Sequence, residues 1–410
     1  MPFEAALDGA VDALAASDRR LAHELAAGVL RQRSVLDAQL APLIARGWSG
    51  VVPDLQDILR LGAYQLTALE RVPPHAAVDT SVALAKKVAG ARAGSFVNAV
   101  LRRLARAAPA ETLPAGVSVG ELAAQYSHPE WLVERWIEAF GAEQTERLLR
   151  WNNRRPKLVA QPARQELDRL EELWRAQGVE FVIAPHGAGL VANGSRPTEL
   201  PGYAEGQFII QDPAQALLAR FVAPLPGSTI YDACAAPGGK TIALGRSARV
   251  VAGEISRHRA RRLAANVARA GQGREHVLVA DARRPPVRPV ELVLLDAPCL
   301  GTGTFARHPD ARWRVTPEAL AGITELQSQL LESTAQVVAA GGLLVYSTCS
   351  LEREENLHQV ERFLHGHPEF HREPAGNVPD SLTSAEGDLV ILPQLHGMDG
   401  AYAARLRRSG

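Results

Sequence analysis

The chain has 410 residues, with 45 basic and 45 acidic side chains and a formal net charge of zero at pH 7. Single hydrophobic cores stop growing near roughly 250–300 residues, so this length predicts more than one domain. The balanced charge excludes a basic field over the whole protein, and any surface that binds nucleic acid must therefore be a local patch.

Signals for targeting or for metal binding are missing from the sequence. Its apolar runs fall short of the ~18 residues of a membrane span, and its first residues lack the basic and apolar layout of a signal peptide. We therefore expect a cytoplasmic protein. The 3 cysteines lack C-x-x-C spacing and the 12 histidines lack H-E-x-x-H spacing, which argues against a disulfide framework and against a metal site.

Residues 3–108 show helical periodicity, with apolar positions at i, i+3, i+4 and i+7 between short polar or proline-containing breaks. This pattern predicts a compact helical bundle. Arg102, Arg103 and Arg106 lie close to one face of its last helix and could bind phosphates. A solvated arginine face without a ligand explains them equally well.

The region after the bundle predicts a linker and then a smaller domain. Residues 108–120 are rich in Ala and Pro, which is typical of a linker. Short strands at 157–161 and 180–184 around a helix at 167–177 predict a small α+β unit. We therefore expect three domains: a helical domain at 1–125, linker helices with an α+β subdomain at 126–210, and a third domain at 211–410.

Strands and helices alternate in the third domain. The predicted strands end at Cys234, Glu254, Asp281, Asp296 and Cys349. Short connections through helices imply right-handed crossovers and a parallel sheet, and the C-terminal residues 388–406 predict a closing hairpin. Ligands of such sheets bind outside the carboxyl ends of the strands, so these five side chains are candidate site residues.

The turn after the first of these strands, within STIYDACAAPGGKT at residues 228–241, brings backbone N–H groups close to a ligand. It lacks the G-x-G-x-x-G pattern, and a phosphate loop would need glycine in place of Cys234. Glu254 follows about twenty residues after the strand, where a carboxylate would hydrogen-bond a ribose diol. The pattern favours a nucleoside-like cofactor over a polyphosphate. A close-packed turn that binds nothing is the alternative.

Besides Cys234, the other two cysteines also lie at or just after predicted strand ends, and both stand beside polar residues. Cys299 ends the sequence DAPC that begins at Asp296, and Cys349 precedes a predicted helix whose first turn carries three glutamates. A helix N-terminus favours a thiolate, whereas nearby carboxylates disfavour it, and the sequence leaves that balance open. A single cysteine in an apolar sequence is usually a small core residue. Three at one sheet edge are harder to attribute to packing.

The segment after Cys299 contains glycines and then becomes basic, with LGTGTF at 300–305 and RHPDARWR at 307–314. Arginines with an interleaved tryptophan, beside an acid and a thiol, suit a flipped base whose flanking phosphates need neutralising. A mobile surface loop is the alternative interpretation.

Several of these motifs resemble those of a known family. DACAAPGGKT at 232–241, DAPCLGTG at 296–303, RHPD at 307–310 and YSTCSLEREEN at 346–356 are similar to the signature motifs of the RNA cytosine-5 methyltransferases that use S-adenosylmethionine. RLGAYQL at 60–66 and VNAVLRR at 97–103 resemble the NusB-like domain fused to the bacterial small-subunit ribosomal RNA members. The resemblance implies a multidomain protein with an all-α NusB-like bundle, a small α+β domain, and a C-terminal Rossmann-like class I methyltransferase with a mostly parallel seven-stranded sheet.

The resemblance also implies roles for individual residues. Cys349 would be the nucleophile that adds to C6 of cytosine, Asp296 would contact the base near N3, and Cys299 would assist the elimination that frees the enzyme. Lys240 joins them as a candidate catalytic residue. The expected S-adenosylmethionine site consists of Cys234, Ala235, Ala236, Pro237, Gly238, Gly239, Lys240, Glu254, Asp281 and Asp296.

The function implied is methylation of cytosine C5 in 16S ribosomal RNA by a monomeric enzyme. A transfer RNA cytosine-5 methyltransferase and a non-catalytic NusB-type RNA-binding or antitermination factor remain alternatives, and a P-loop NTPase is disfavoured by Cys234. Ala306 stands where relatives often carry a second arginine, which could change how RNA is held.

Overall fold

The computed structural model describes residues 3–107, 118–192, 196–374 and 376–410. The chain forms two compact units, Met1–Arg154 with Phe305–Arg314, and Arg155–Thr304 with Val315–Gly410. The predicted linker at 108–120 lies for the most part outside the described residues, and the three-domain division stays a prediction.

The first unit is helical because its segments bury an apolar stripe at helical spacing. Leu36, Leu59, Val97 and Leu101 are fully buried in one core. Its helices, within the described residues, are α1 (Phe3–Val11), α2 (Ala16–Arg31), α3 (Arg33–Leu40), α4 (Pro53–Ala68), α5 (Pro74–Ala89), α6 (Ala91–Leu104), α7 (Val119–Tyr126), α8 (Glu130–Phe140) and α9 (Ala142–Asn152). None of the helices described for this chain combines the length and the apolar composition that crossing a membrane requires.

The second unit begins with a small antiparallel sheet in the order β2-β3-β1-β4. Leu170 and Trp174 of its helix pack against Phe208 beneath the sheet. The predicted strands at 157–161 and 180–184 are confirmed, and two more three-residue strands accompany them. The elements are β1 (Leu158–Pro162), α10 (Leu167–Ala176), β2 (Phe181–Ile183), β3 (Leu190–Ala192) and β4 (Phe208–Ile210).

The rest of the second unit is a larger α/β structure. Its elements are α11 (Pro213–Val222), β5 (Thr229–Asp232), α12 (Gly239–Gly245), β6 (Arg249–Glu254), α13 (Arg257–Ala270), β7 (Glu275–Val279), β8 (Val290–Asp296), α14 (Pro317–Ala335), β9 (Val338–Thr348), α15 (Leu357–Gly366), β10 (Phe370–Arg372), β11 (Leu389–Ile391), α16 (Pro393–His396) and β12 (Ala401–Arg408).

Seven strands of this sheet follow one another in the order β10-β12-β9-β8-β5-β6-β7. Strands β5 to β9 are parallel, and β12 runs antiparallel beside β9. An eighth strand, β11, pairs with Ala401–Ala403 of β12, whereas β10 pairs with its last three residues. The predicted C-terminal hairpin is therefore present, and the sheet is mixed at that edge.

Alternation along the strands buries both faces of the sheet. Ile230 packs with Phe221 of α11 on one face, whereas Tyr231 packs with Leu330 of α14 and Phe363 of α15 on the other. Side chains alternate in this way because successive residues of a strand point to opposite sides. The result is the predicted α/β architecture with helices on both faces, and it leaves the carboxyl ends of the parallel strands as one edge.

Candidate active site

Acidic or hydroxyl side chains end four parallel strands at this edge. Strand β5 ends at Asp232, β6 at Glu254, β8 at Asp296 and β9 at Thr348. Asp296 is the partner of Ser347 in the register of β8 and β9, which brings the segments carrying Cys299 and Cys349 side by side. The predicted strands therefore end at this edge, although β5, β7 and β9 end one or two residues before the predicted Cys234, Asp281 and Cys349.

The turn after β5 is close-packed on both sides. Gly238 has a φ of +107° and precedes the first residue of α12. A Cβ atom added there would lie 2.6 Å from Cδ1 of Leu263, so a side chain would be both strained and obstructed. The backbone N–H of Ala235 donates to the carbonyl of Gly253 at 2.9 Å. These contacts draw the turn against β6 and α13.

Lys240 and Asp296 form an ion pair at the start of α12. Lys240 Nζ lies 2.7 Å from Asp296 Oδ2, and the Ser347 hydroxyl donates to Asp296 Oδ1 at 2.9 Å. The Lys240 side chain is 10% exposed and that of Asp296 is 31% exposed. Both carboxylate oxygens are thus oriented by partners while the group still faces solvent.

Asp232 lies beneath this pair and is fully buried. Its Oδ2 accepts a hydrogen bond from the Thr241 hydroxyl at 2.6 Å, and Oδ1 has no partner among the described residues. Burial raises the pKa of Asp232 to about 7, with a smaller contribution from the charge of Asp296. Burial likewise raises the pKa of Cys234 to about 12, so this thiol is neutral and is not a nucleophile at neutral pH.

Glu254 and Asp281, the other two expected cofactor acids, already hold arginines. Glu254 Oε1 accepts from the N–H of Ser256 at 2.8 Å and from Arg259 Nε at 2.9 Å, whereas Oε2 accepts no hydrogen bond from a described residue. Asp281 is bonded through both oxygens to Arg283, which lowers the pKa of Asp281. Of the two acids, Glu254 therefore keeps an oxygen free for a new donor.

Two exposed apolar side chains flank Glu254. Ile255 follows it directly and is 53% exposed, and Val279, its partner in the register of β6 and β7, is 57% exposed. Apolar groups beside a carboxylate at a strand end are suited to cover the ring of a bound nucleoside. The sequence analysis did not single out these two residues.

The sulfurs of Cys299 and Cys349 lie 3.2 Å apart. The hydrogen bond with Cys349 and desolvation by the surrounding chain raise the pKa of Cys299. Gly303 N donates to the carbonyl of Cys349 at 3.0 Å, and a Cβ at Gly303 would lie 2.8 Å from that oxygen. Glycine at this position therefore permits the two thiol-bearing segments to meet.

The region after Cys349 differs from the expectation. The predicted helix does not start there: a single 3-10 turn covers Arg353–Glu355, and α15 begins only at Leu357. The prediction that Cys349 directly precedes a helix is therefore wrong. Three polar residues that sequence reasoning did not place in the site hydrogen-bond the segments that carry the two thiols: Thr302, Gln327 and Glu355.

The basic segment Phe305–Arg314 packs with the helical unit. Arg312 is fully buried there and donates to the carbonyl of Asn152 at 2.8 Å and to Asn153 Oδ1 at 2.7 Å. The indole of Trp313 donates to the carbonyl of Leu30 at 2.8 Å. The expectation that these side chains neutralise phosphates is therefore wrong for Arg312, whose guanidinium is buried and whose two terminal nitrogens are already bonded inside the protein.

Among the described residues, no group of three or more His, Cys, Asp or Glu side chains is arranged to hold a metal ion.

Comparison with known families divides the chain into three matched regions. Residues 219–407 match the model of the 16S rRNA methyltransferase RsmB/F family. Residues 3–106 match the NusB family, and residues 128–190 match the RsmF/B-like ferredoxin-like domain. The matches account for the helical bundle, the small antiparallel sheet and the larger α/β structure.

Curated proteins resemble the chain over nearly its whole length. The probable ribosomal RNA small subunit methyltransferase B of Synechocystis is 37% identical, over 97% of this chain and 92% of that protein. The ribosomal RNA small subunit methyltransferase B of Thermus thermophilus is also 37% identical, over 95% of this chain and 89% of that protein. The probable enzyme of that name from Bacillus subtilis is 32% identical, over 97% and 92%.

Solved structures share the fold. The crystal structure of PH0851 superposes with a TM-score of 0.81 at 26% identity, covering 98% of this chain and 93% of that chain. The crystal structure of NSun6 from Pyrococcus horikoshii with SFG gives a TM-score of 0.61 at 18% identity, over 69% and 98%. From the identity and coverage of its relatives, this chain belongs to the 16S rRNA methyltransferase RsmB/F family.

Proposed function

We propose that this protein transfers a methyl group from S-adenosylmethionine to C5 of a cytosine in 16S ribosomal RNA through a covalent adduct with Cys349. The observation that carries the proposal is the 3.2 Å contact between the Cys299 and Cys349 sulfurs at the edge where Asp296 ends its strand. Two thiols and an oriented carboxylate are what addition to a pyrimidine and its reversal require.

The residues at the cofactor edge fit S-adenosylmethionine. Glu254 keeps Oε2 for a ribose hydroxyl, Ile255 and Val279 offer apolar cover for a purine, and Gly238 keeps the turn free of a side chain. When bound, S-adenosylmethionine supplies an electrophilic methyl group. Membership of a methyltransferase family supports the same donor.

Addition to the base is the task of Cys349 and Asp296. The Cys349 thiolate forms a bond from Sγ to C6 of cytosine, and the electron pair of the C5–C6 double bond moves to C5. Asp296 contacts the base near N3, where its carboxylate accepts a hydrogen bond from a proton that N3 takes up from water. That proton offsets the negative charge that addition creates, and it returns to water on release. Lys240 and Ser347 each hold one oxygen of Asp296, so the carboxylate needs no reorganisation when the base arrives.

Release is the task of Cys299. As a thiolate it removes the proton from the methylated C5, the electron pair of that C–H bond re-forms the C5–C6 double bond, and the bond from C6 to Cys349 Sγ breaks. The hydrogen bond with Cys349 and burial raise the pKa of Cys299, so its thiol first gives its proton to water, and the thiolate that remains is a stronger base for the proton on C5.

Two alternatives use the same fold. A transfer RNA substrate keeps all of the chemistry, and a non-catalytic RNA-binding factor uses only the NusB-like bundle. The names of the relatives, ribosomal RNA small subunit methyltransferase B, favour the small-subunit RNA. A non-catalytic role leaves unexplained why two thiols meet beside an oriented Asp296.

The test uses 16S ribosomal RNA from a strain that lacks the gene. After incubation with purified protein and S-adenosylmethionine, bisulfite sequencing should show one newly protected cytosine, and total transfer RNA treated in parallel should show none. If only transfer RNA were methylated, the assigned substrate would change from ribosomal RNA to transfer RNA. Methyl transfer to a ribose or to an exocyclic nitrogen, or no transfer to either RNA, would refute the proposal.

A further inference from the structure

Glu355 is fully buried beneath the two thiols and holds three hydrogen-bond donors. Its Oε2 accepts from the backbone N–H of Leu300 at 3.0 Å and from Gln327 Nε2 at 2.8 Å. Its Oε1 accepts from the hydroxyl of Ser350. Burial raises the pKa of this carboxyl, and the same three hydrogen bonds oppose that rise. A buried carboxylate with this many partners is a structural junction.

The junction joins the residues that follow each thiol. Leu300 is next to Cys299, and Ser350 is next to Cys349. One carboxylate therefore links the two segments at the residue that follows each cysteine. Gln327 strengthens this link, because its amide also donates to the carbonyl of Pro298 at 2.9 Å.

Two further hydrogen bonds, which do not involve Glu355, join the same two segments. The backbone N–H of Leu351 donates to Thr302 Oγ1 at 2.8 Å, and Gly303 N donates to the carbonyl of Cys349 at 3.0 Å. These hydrogen bonds keep the segments adjacent even when the junction is removed. The hydrogen bonds of Glu355 are therefore the contacts that can adjust the distance between the two sulfurs and the direction in which they point.

We infer that Glu355 is a positioning residue that acts through Leu300 and Ser350 to hold the Cys299 and Cys349 sulfurs in contact, so that both face one cytosine. The inference rests on the proposed function for its consequence in turnover, but its geometry is independent of any substrate. Glu355 touches neither sulfur by a hydrogen bond in the described structure, so its effect passes through the backbone beside each thiol.

Glutamine separates geometry from charge at this position. The oxygen of a glutamine can accept from Leu300 and Gln327, and its amide can donate to Ser350, whose hydroxyl both donates and accepts. Glu355→Gln therefore preserves all three links without the charge. Glu355→Ala removes all three and leaves buried donors without an acceptor.

The first measurement follows the thiols without RNA or cofactor. Diamide, a diazene, takes up two electrons and two thiol protons as the Cys299–Cys349 disulfide forms, and mass spectrometry of the intact and digested protein gives the rate. Glu355→Ala should slow this reaction by about tenfold, because thiols that are not held together have a lower effective concentration. Glu355→Gln should stay near the wild-type rate, as should Glu361→Gln, an exposed acid on α15.

The second measurement is steady-state turnover on ribosomal RNA. For Glu355→Ala, kcat should fall about 100-fold, a loss typical of a misplacement near 1 Å, while the KM for RNA and the Kd for S-adenosylhomocysteine stay near wild type. Glu355→Gln should recover most of kcat. A general loss of structure would instead move KM, Kd and the circular dichroism spectrum together.

Ser350→Ala is a milder variant that tests the inference even if Glu355→Ala does not fold. It removes the hydrogen bond from the Ser350 hydroxyl to Glu355, together with the contacts of that hydroxyl to Thr302 Oγ1 and to the N–H of Glu352. Glu355 keeps its other two partners, so disulfide formation should slow by a few-fold, on the order of one hydrogen bond. A wild-type disulfide rate in folded Glu355→Ala or in Ser350→Ala overturns the inference. If wild-type protein makes no methylcytosine, the proposed function fails, and the disulfide rates still decide the role of Glu355.

Discussion

Two buried carboxyl groups organise the two halves of the candidate site, and they are satisfied very differently. Asp232 supports the cofactor turn with one hydroxyl partner, Thr241, nine residues away, and one oxygen lacks a partner among the described residues. Glu355 supports the thiols with three donors, two of which come from Leu300 and Gln327, 55 and 28 residues away.

The two carboxyl groups differ in whether their hydrogen-bond partners are close or distant in the sequence. The cofactor turn is built from contiguous small residues, and its buried acid is left to gain or lose a proton. The thiol pair is built from three segments that meet only in the folded protein, and its buried acid fastens them. We therefore expect changes in the thiol region to alter chemistry and changes in the cofactor region to alter binding and stability.

The largest expected effect concerns the thiols. Cys349→Ala should abolish turnover and form no covalent RNA complex, because the bond to C6 needs that sulfur. Cys299→Ala should still form the bond but release product slowly, so a methylated protein–RNA adduct should accumulate and survive denaturing electrophoresis. Cys234→Ala is the matched control, since a buried neutral thiol leaves both steps intact apart from a change in cofactor affinity.

An adduct in Cys349→Ala rather than in Cys299→Ala would exchange the two roles. Normal release by the Cys299 variant would remove that residue from the elimination.

The next effect is on the stability of the cofactor region. The pKa of Asp232 is raised from 3.8 to about 7, so the folded state binds this proton more tightly than the unfolded state does. The contribution of Asp232 to stability is complete below pH about 4 and is lost as pH rises to about 7, at up to about 1.4 kcal/mol per pH unit.

Asp232→Asn should remove that slope. Urea unfolding of cofactor-free protein between pH 5 and 8 measures it as the difference between variant and wild type, which cancels the contributions of Glu355 and Asp388, whose pKa values are also raised. Parallel stability curves for the two proteins would show that Asp232 is ionised throughout.

Cofactor affinity gives the third effect. Glu254→Ala removes hydrogen bonds from a charged group to the ribose, each worth about 1.5–3 kcal/mol, so affinity for S-adenosylhomocysteine should fall at least tenfold. Calorimetry measures this, with circular dichroism as a check of folding. Arg259→Ala is the informative control, because it removes one of the two donors to Glu254 Oε1 without removing the carboxylate and should not weaken binding. Unchanged affinity of the Glu254 variant would remove that residue from the site.

The same contrast explains what could be predicted from the sequence. The α/β domain, the strand ends and the turn at 234–240 follow from local patterns, because alternation and turn residues act over a few positions. Glu254, Asp296 and the meeting of Cys299 with Cys349 follow from the shared edge of a parallel sheet.

Long-range partners could not be predicted in this way. Glu355 was expected in the first turn of a helix, but it lies in a 3-10 turn and points at residues 55 and 28 positions away in sequence. Gln327 stands in the middle of α14 without a local signal. Arg312 resembled a phosphate-binding residue, although its guanidinium is bonded inside the helical unit. Each depends on a tertiary contact that overrides local composition.

The smallest expected effect concerns the helical unit, where Arg102 and Arg106 are exposed at the end of α6 and its following turn. If they bind phosphates, Arg102→Gln with Arg106→Gln should weaken RNA binding by roughly fivefold and reduce the slope of log K against log salt by about 0.7 for each phosphate that is no longer neutralised. Filter binding at several salt concentrations measures both quantities.

The matched control removes two other exposed arginines, Arg169 and Arg175, which already pair with Glu172 and Glu171. Their replacement by Gln changes the net charge by the same amount, so it separates direct binding of phosphate from general electrostatic attraction. An equal loss of RNA affinity in both double variants would show that Arg102 and Arg106 act only through the net charge of the protein. An unchanged slope in the first variant would leave them as a solvated face and assign the helical unit a role other than holding RNA at this surface.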